Sequence, residues 1–369
     1  MGDILHALPA VAALRKAHPA WRIDWAVEPR WIPLLASESG DTGRGLSGQP
    51  DSARNAGRPL VDDIYPVPTK EWSRRWYMRE TLSEIRALRA ELRTVAYDAV
   101  LDLQGSIRSA GVARLTGCRR IIGEAQPREA AAKWLFTERV ETTGAHVIEQ
   151  DIEVAAAVAG DSLAAVSAPL PVDEQAEDWC DRLPELKEAL WIGRPVVLLH
   201  PGGGWGAKCW PADRYGAVAE EFTLRGGTVL VNAGPGEEEL AAQVLAAANG
   251  HASVVSCSIS QLIALTRRVS LVVGGDTGPL HLACTLGKPV VGIYGPTDPK
   301  RNGPYGNRFR VLRNPESRRD HSRRAEPEAG LLTIIPREVI AASAEVMLEE
   351  REAMQTQNRT EGQIWEARR

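Results

Sequence analysis

The sequence is marked first by what it does not contain. No apolar run in its 369 residues reaches the ~18 that a membrane-spanning helix needs. The opening, MGDILHALPA, has no basic flank before an apolar stretch and so does not read as a signal peptide; its sixth residue is His, not the Ser or Thr of a myristoylation signal. The cysteines, Cys118, Cys180, Cys209, Cys257 and Cys284, form no CxxC pair and no His/Cys group at metal spacing. That scatter points to buried thiols in a reducing compartment. With 44 basic and 48 acidic residues, the chain has no overall positive field to hold nucleic acid.

What is present is ordinary for a globular chain: 44% hydrophobic, 25% charged, and long enough for about two domains. In the second half, short β-branched runs recur at 195–200 (PVVLLH), 228–232 (TVLVN), 253–256 (SVVS), 270–273 (SLVV) and 289–294 (PVVGIY). Helical patterns at 217–224, 240–248, 259–268 and 280–286 separate most of them. Uninterrupted apolar strands alternating with helices predict a parallel sheet covered on both faces, a doubly wound α/β domain. The first half repeats the rhythm less cleanly, with strands predicted at 22–27, 97–103 and 120–123. A helix over 80–92 carries apolar residues at 82, 85, 88 and 92. The Gly/Ser/Asp/Arg-rich stretch 37–59 reads as a long mobile loop, 161–194 as the linker, and 349–369 as a polar tail that frays. The chain enters a helical pattern at once, through Ile4, Leu8, Val11 and Ala12, made irregular by Pro9. A Gly-Asp pair at a helix entrance normally comes after a first strand, so the pattern predicts that about ten residues, a strand and a few turn residues, are missing ahead of Met1.

Four features carry chemistry. In HPGGGWGAKCWP (200–211) a strand ends, a glycine-rich loop comes next, and Pro211 suits the first turn of a helix. Backbone amides in such a loop can approach an anion, and Lys208 adds charge; glycine content alone is equally that of a flexible turn. It is not a P-loop, because Cys209 stands where Ser or Thr would succeed the lysine. In GGDTGPLH (274–281), Asp276 and Thr277 stand at the carboxyl end of a predicted strand, where open α/β sheets bind ligands, and His281 lies one helical turn beyond Thr277. The bland alternative is an N-cap and a packed histidine. In WSRRWYMR (72–79), arginines alternate with aromatic residues, suiting anionic groups and a membrane interface or simply a solvated helix face. Asp3 reads as a helix N-cap from position alone, with general-base chemistry as the sharper alternative. No Asp-x-Asp signature, no GxSxG elbow and no GxGxxG after a strand is present, which argues against metal-dependent sugar transfer and dinucleotide redox chemistry.

Taken in order, these motifs resemble the ADP-heptose–lipopolysaccharide heptosyltransferases of glycosyltransferase family nine. The resemblance rests on GDILHALP (2–9), DLQG (102–105) with Arg108-Ser109, KCWP (208–211), GDTGPLH (275–281), GPTDP (295–299), and GLL (330–332) with Ile335-Pro336. The Trp- and Arg-rich stretch after residue 71 is more similar to the branch that acts on Kdo-lipid A than to the second-heptose branch. The resemblance implies a GT-B architecture: two Rossmann-like parallel-sheet domains facing across a cleft. Residues 1–175 would bind the acceptor, 176–348 would hold ADP-heptose, and 349–369 would be the tail. It implies inverting heptose transfer to Kdo-lipid A in lipopolysaccharide core synthesis, without a metal or other cofactor, by a cytoplasmic enzyme peripheral to the inner membrane. It assigns Asp3 as base; Gly203, Gly204, Lys208, Glu238, Asp276, Thr277, Gly278 and His281 to the donor, with Glu237 rivalling Glu238 for the ribose; and Arg74, Arg75, Gln104 and Arg128 to the acceptor. Gly203 and Gly204 stand where the family often has Thr or Ser. Competing readings are a second-heptose or other nucleotide-sugar transferase, a nucleotide-sugar epimerase, and a truncated, inactive remnant that still binds nucleotide.

Overall fold

The structure, a computed structural model, describes residues 1–38, 54–306, 308–320, 322 and 324–367. Most of the stretch expected as a mobile loop, 39–53, lies outside them. The chain divides into two units between Val172 and Asp173.

The first unit opens with α1 (Gly2–Ala17), which contains Pro9. Its sequence predicts one apolar stripe, yet Leu5 to Leu8 and Ala10 to Leu14 are all buried, as in a helix enclosed on most sides. Next along the chain are β1 (Asp24–Val27), β2 (Asp63–Pro66), α2 (Thr69–Arg74), α3 (Arg79–Val95), β3 (Val100–Asp102), α4 (Ile107–Leu115), β4 (Ile121–Glu124), β5 (Glu138–Val140) and α5 (Val147–Ala159). Among the described residues, β1 and β2 make one parallel pair and β3-β4-β5 a separate parallel sheet. The Tyr97 hydroxyl donates to Asp24 Oδ2 at 2.6 Å, tying the approach to β3 to the start of β1. Burial and that acceptor both push the phenol's pKa up, so it stays protonated. α3 buries Leu88 and Leu92, with Ile85, against Tyr65, Val67 and Trp72. Leu82, predicted on the same face, is exposed instead, one turn beyond that contact.

The second unit begins with α6 (Glu174–Arg182) and α7 (Pro184–Trp191), where the sequence suggests linker. Its remaining elements are β6 (Val196–His200), α8 (Ala212–Leu224), β7 (Thr228–Asn232), α9 (Glu238–Ala247), β8 (Ser253–Val255), α10 (Ile259–Arg268), β9 (Leu271–Gly275), α11 (Gly278–Thr285), β10 (Val290–Tyr294), α12 (Pro299–Asn302), β11 (Phe309–Arg313) and α13 (Pro336–Ala367). All strands are parallel in the order β11-β10-β9-β6-β7-β8. Val197, Leu199, Val229, Val231, Leu271, Val273, Val291 and Ile293 point to one face and pack on Tyr215, Val218, Phe222, Val244 and Val339 of α8, α9 and α13. The alternate residues Val196, Leu198, Val272 and Val290 are equally buried. Each such side chain contributes roughly 1.5–3 kcal/mol, which is why these strands carry no polar alternation. The polar stretch from 349 continues α13, which runs on to Ala367, and Glu345 and Glu349 of that helix pair with Arg310 of β11.

Candidate functional site

β6 and β9 are neighbours, yet the chain leaves β6 towards β7 on one side and β9 towards β10 on the other. This reversal of strand order opens a crevice at the carboxyl ends, where such sheets bind ligands. The two sequence motifs supply two of its walls. After β9, Asp276 and Thr277 lead into α11, with Thr277 at the N-cap, Gly278 first and Pro279 second in the helix. The Gly278 amide opens this positive helix end, while Pro279 has no N–H to offer. After β6, the glycine-rich loop brings Lys208 across: its Nζ donates to Asp276 Oδ2 at 2.5 Å, and His281 Nε2 lies 3.2 Å from Asp276 Oδ1. Burial alone would push the Asp276 carboxyl up. His281 and Lys208 outweigh burial and hold it well below the usual carboxylate range. Asp276 is therefore a charged, structured carboxylate, not the bland N-cap, a position that Thr277 occupies. Gly203 is half-buried and Gly204 exposed.

The third wall comes after β7. Glu237 Oε2 accepts the Gly234 amide at 2.9 Å. Its carboxylate presses so close to Gly202 that a Cβ there would stand 1.9 Å from Oε1. Glu237 thus bridges the loops after β6 and β7. Glu238 is the first residue of α9, faces solvent, and accepts the Gly236 amide at 3.2 Å. The signal that separates them is the Gly234-Pro235-Gly236 turn, with Gly236 at φ +83°, which sets where α9 begins.

In the first unit, Asp3 stands in the first turn of α1, where Met1 takes the N-cap, and receives Arg128 Nη1 at 3.2 Å. Arg128 is placed by a chain of local bonds. Buried Asp102 accepts the amides of Gln104 and Gly105 and the Ser109 hydroxyl. Gly105, at φ +64°, accepts Glu129 N, and Glu129 in turn accepts Ile107 N at the start of α4. Gln104 itself is exposed. A basic group that the sequence does not reveal stands at the carboxyl ends of β1, β2 and β3. Burial, and then Arg30, Arg108 and Arg74, push the Lys70 pKa down against the opposing pull of Glu28. Glu28 anchors this lysine's backbone, accepting Thr69 Oγ1 at 2.6 Å and Lys70 N at 2.9 Å. Arg74 belongs to this group. Arg75 turns away, to Glu71 at 3.3 Å and Glu84 at 3.9 Å. Trp72, expected beside the cations at a surface, is buried core, its indole N–H donating to Glu84 Oε2.

Comparison with known proteins identifies the family. Residues 85–331 match glycosyltransferase family 9 (heptosyltransferase). Lipopolysaccharide heptosyltransferase 1 of Pseudomonas aeruginosa is 28% identical over 310 residues, 83% of this chain and 79% of that protein. Its Escherichia coli K12 counterpart is 28% identical over 319 residues, 85% of this chain and 91% of that one. Among solved structures, Escherichia coli heptosyltransferase WaaC with ADP superposes with a TM-score of 0.71 at 24% identity, covering 94% of this chain and 97% of that chain. A family 9 glycosyltransferase from Veillonella parvula reaches 0.72 at 20% identity, covering 95% of each. At these identities the structural likeness speaks for the GT-B fold.

Proposed function

The chain belongs to glycosyltransferase family 9, and from that premise we propose that it transfers heptose from ADP-heptose to the Kdo-lipid A inner core. It is a heptosyltransferase of lipopolysaccharide core synthesis; donor and acceptor chemistry are then assigned residue by residue. The observation that carries the donor assignment is the Lys208–Asp276 pair at the β6/β9 crevice. A half-buried cation at the mouth of a helix N-terminus suits a diphosphate, and Asp276 and His281 fix its position. Glu237, bridging two loops of the same crevice, takes the ribose hydroxyls in place of Glu238. Gly203, Gly204, Thr277 and Gly278 let backbone amides reach the phosphates.

The acceptor carries carboxylates and phosphates. The Arg30, Lys70, Arg74 and Arg108 group, with Arg128, is the polycationic surface of the first unit that suits them. Arg75 is left as an α2–α3 tie, and Gln104 as a neutral neighbour of Arg128. Asp3 accepts the proton of the acceptor hydroxyl as that oxygen bonds to the anomeric carbon. The bond from that carbon to the diphosphate breaks, ADP leaves with the electron pair, and the configuration inverts. Lys208 and the α11 amides stabilise the charge that develops on the leaving group. No metal or other cofactor has a part in these steps.

Among the described residues no helix is long and apolar enough to cross a membrane. Contact with the lipid-bearing acceptor is instead peripheral, from the cytoplasmic side, through Trp76, Tyr77, Met78 and Leu82, all exposed beside Arg74 and Arg79. The test is mass analysis of Kdo-lipid A after incubation with ADP-heptose. A gain of one heptose with release of ADP is expected. Transfer to a heptosylated acceptor but not to Kdo-lipid A would select the second-heptose reading, and donor consumption with no transfer would end both.

A further inference from the structure

Between Pro201 and Lys208 the loop reads GGGWGA, so Trp205 is its one side chain larger than a methyl group. Its backbone is extended, its carbonyl accepts Lys208 N at 3.0 Å, and the short 3₁₀ turn this closes folds residue 208 back over residue 205. The Lys208 ammonium then lies 4.3 Å from the centre of the indole ring while its other side donates to Asp276. Resting on the donor reading above, we propose that Trp205 is a positioning residue for the donor diphosphate, acting through Lys208.

Three observations converge on the ring face. A lysine ammonium ends a flexible stem of four carbons, and holding it in place before the ligand arrives removes part of the ordering cost of binding. Asp276 does some of this, but a carboxylate also neutralises the cation. A ring face holds the ammonium through its quadrupole and leaves its full charge for a phosphate. The indole Nε1 is closed off from solvent and has no hydrogen-bond partner among the described residues. A phenyl ring would avoid that unmade bond. Tryptophan offers the strongest ring face to a cation, which is the property that sets it apart here. The surrounding glycines leave the ring as the loop's only means of fixing Lys208 laterally.

The experiment is calorimetric titration of ADP and of adenosine, which lacks phosphates, into wild type, Trp205→Leu, Trp205→Phe and Lys208→Ala. Trp205→Leu is expected to lose about three- to tenfold in ADP affinity with adenosine unchanged, and to raise the donor KM and lower kcat together, because Lys208 also stabilises the leaving group. Trp205→Phe keeps a weaker ring face and is expected to restore most of this, losing about twofold. Equal ADP affinity in Trp205→Leu and wild type overturns the proposal, as does an equal loss for ADP and adenosine. If the leucine variant does not fold, Trp205→Phe decides: a loss confined to ADP supports the proposal and no loss overturns it. Should Lys208→Ala bind ADP as wild type does, the donor reading itself fails and the role of Trp205 with it. Should Lys208→Ala weaken ADP while Trp205→Leu does not, only the role of Trp205 fails.

Discussion

Arg128 Nη1 stands 3.2 Å from Asp3 Oδ2, joining the loop after β4 to the first turn of α1, with both side chains more than half exposed. An exposed pair of this kind is weak and open to exchange. An anionic acceptor can take Arg128 for itself and leave Asp3 to receive a proton. The two residues should therefore fail in different ways. Asp3→Asn is expected to lower kcat about 10²–10⁴-fold, the range for loss of a general base, with ADP affinity unchanged. Arg128→Ala is expected to raise the acceptor KM about tenfold or more, as for loss of a charged hydrogen bond. Steady-state kinetics over acceptor concentration separate the two effects, and full turnover by Asp3→Asn would remove it as the base.

Glu237 and Glu238 make a sharper pair, since one residue separates a carboxylate held against Gly202 and Gly234 from one facing solvent. Glu237→Gln should weaken ADP binding about tenfold or more, through charged hydrogen bonds lost to the ribose hydroxyls. Glu238→Gln should leave it within about twofold, as for a surface substitution. Calorimetry with ADP decides, and the reverse ranking would return the role to Glu238.

The second unit is legible in the sequence because burial on both faces erases polar alternation: PVVLLH and SLVV could hardly be anything but central parallel strands, and the loops after them are β6 and β9 exits. The elements that escape are set by less one-sided environments. β5, Glu138-Arg139-Val140, lies at a sheet edge with two of its three residues exposed, so its composition does not read as strand. β2 ends in Pro66, which argues against a strand in isolation. α6 and α7 look like linker because they are rich in acidic residues. Yet Ala176, Cys180, Leu186 and Ala189 are buried, and Glu177 and Asp181 hold Arg267 and Arg268 of α10. Arg74 and Arg108 are visible in the sequence but their grouping with Arg30 and Lys70 is not, because the four come from three separate strand ends of two sheets and meet only in the folded unit. Trp72 shows the opposite error: an aromatic between basic residues reads as surface, and the packing of α2 on α3 makes it core.

Trp76 and Tyr77 are 72% and 67% exposed, a large aromatic surface beside Arg74 and Arg79. Amphipathic rings next to arginines suit the headgroup region of an anionic bilayer. Co-sedimentation with vesicles containing anionic lipid should retain wild type and lose Arg74→Ala/Trp76→Ala, with the arginine alone worth about fivefold in partitioning and the effect shrinking at high salt. Equal partitioning of wild type and variant would place the membrane contact elsewhere or abolish it.

His200 ends β6 with both ring nitrogens buried and unpartnered among the described residues, and burial pushes its pKa down to about 3. An unfolded histidine titrates near 6.5. Between those two values the unfolded chain binds a proton that the folded chain refuses, so the group's contribution to stability is whole above pH ~6.5 and is lost as pH falls towards 3. The slope is about 1.4 kcal/mol for each pH unit crossed. Asp276 works in the same sense but lower: its carboxyl is held below the usual range, so its contribution is present above the ordinary carboxylate pKa and lost only beneath it. Burial also pushes the Met1 amino group down to about 5, so the histidine is isolated only by comparing wild type with a His200 variant in thermal or urea unfolding between pH 7 and pH 4.5. Wild type is expected to lose stability across this window. His200→Leu, which removes the titrating group and two unmade hydrogen bonds while keeping an apolar volume beside Gly274, is expected to lose less. The gap between the two curves should widen steadily as pH falls. Parallel curves would mean that His200 is protonated in the folded chain, through a partner acquired in solution, and that the end of β6 is less closed than its burial indicates.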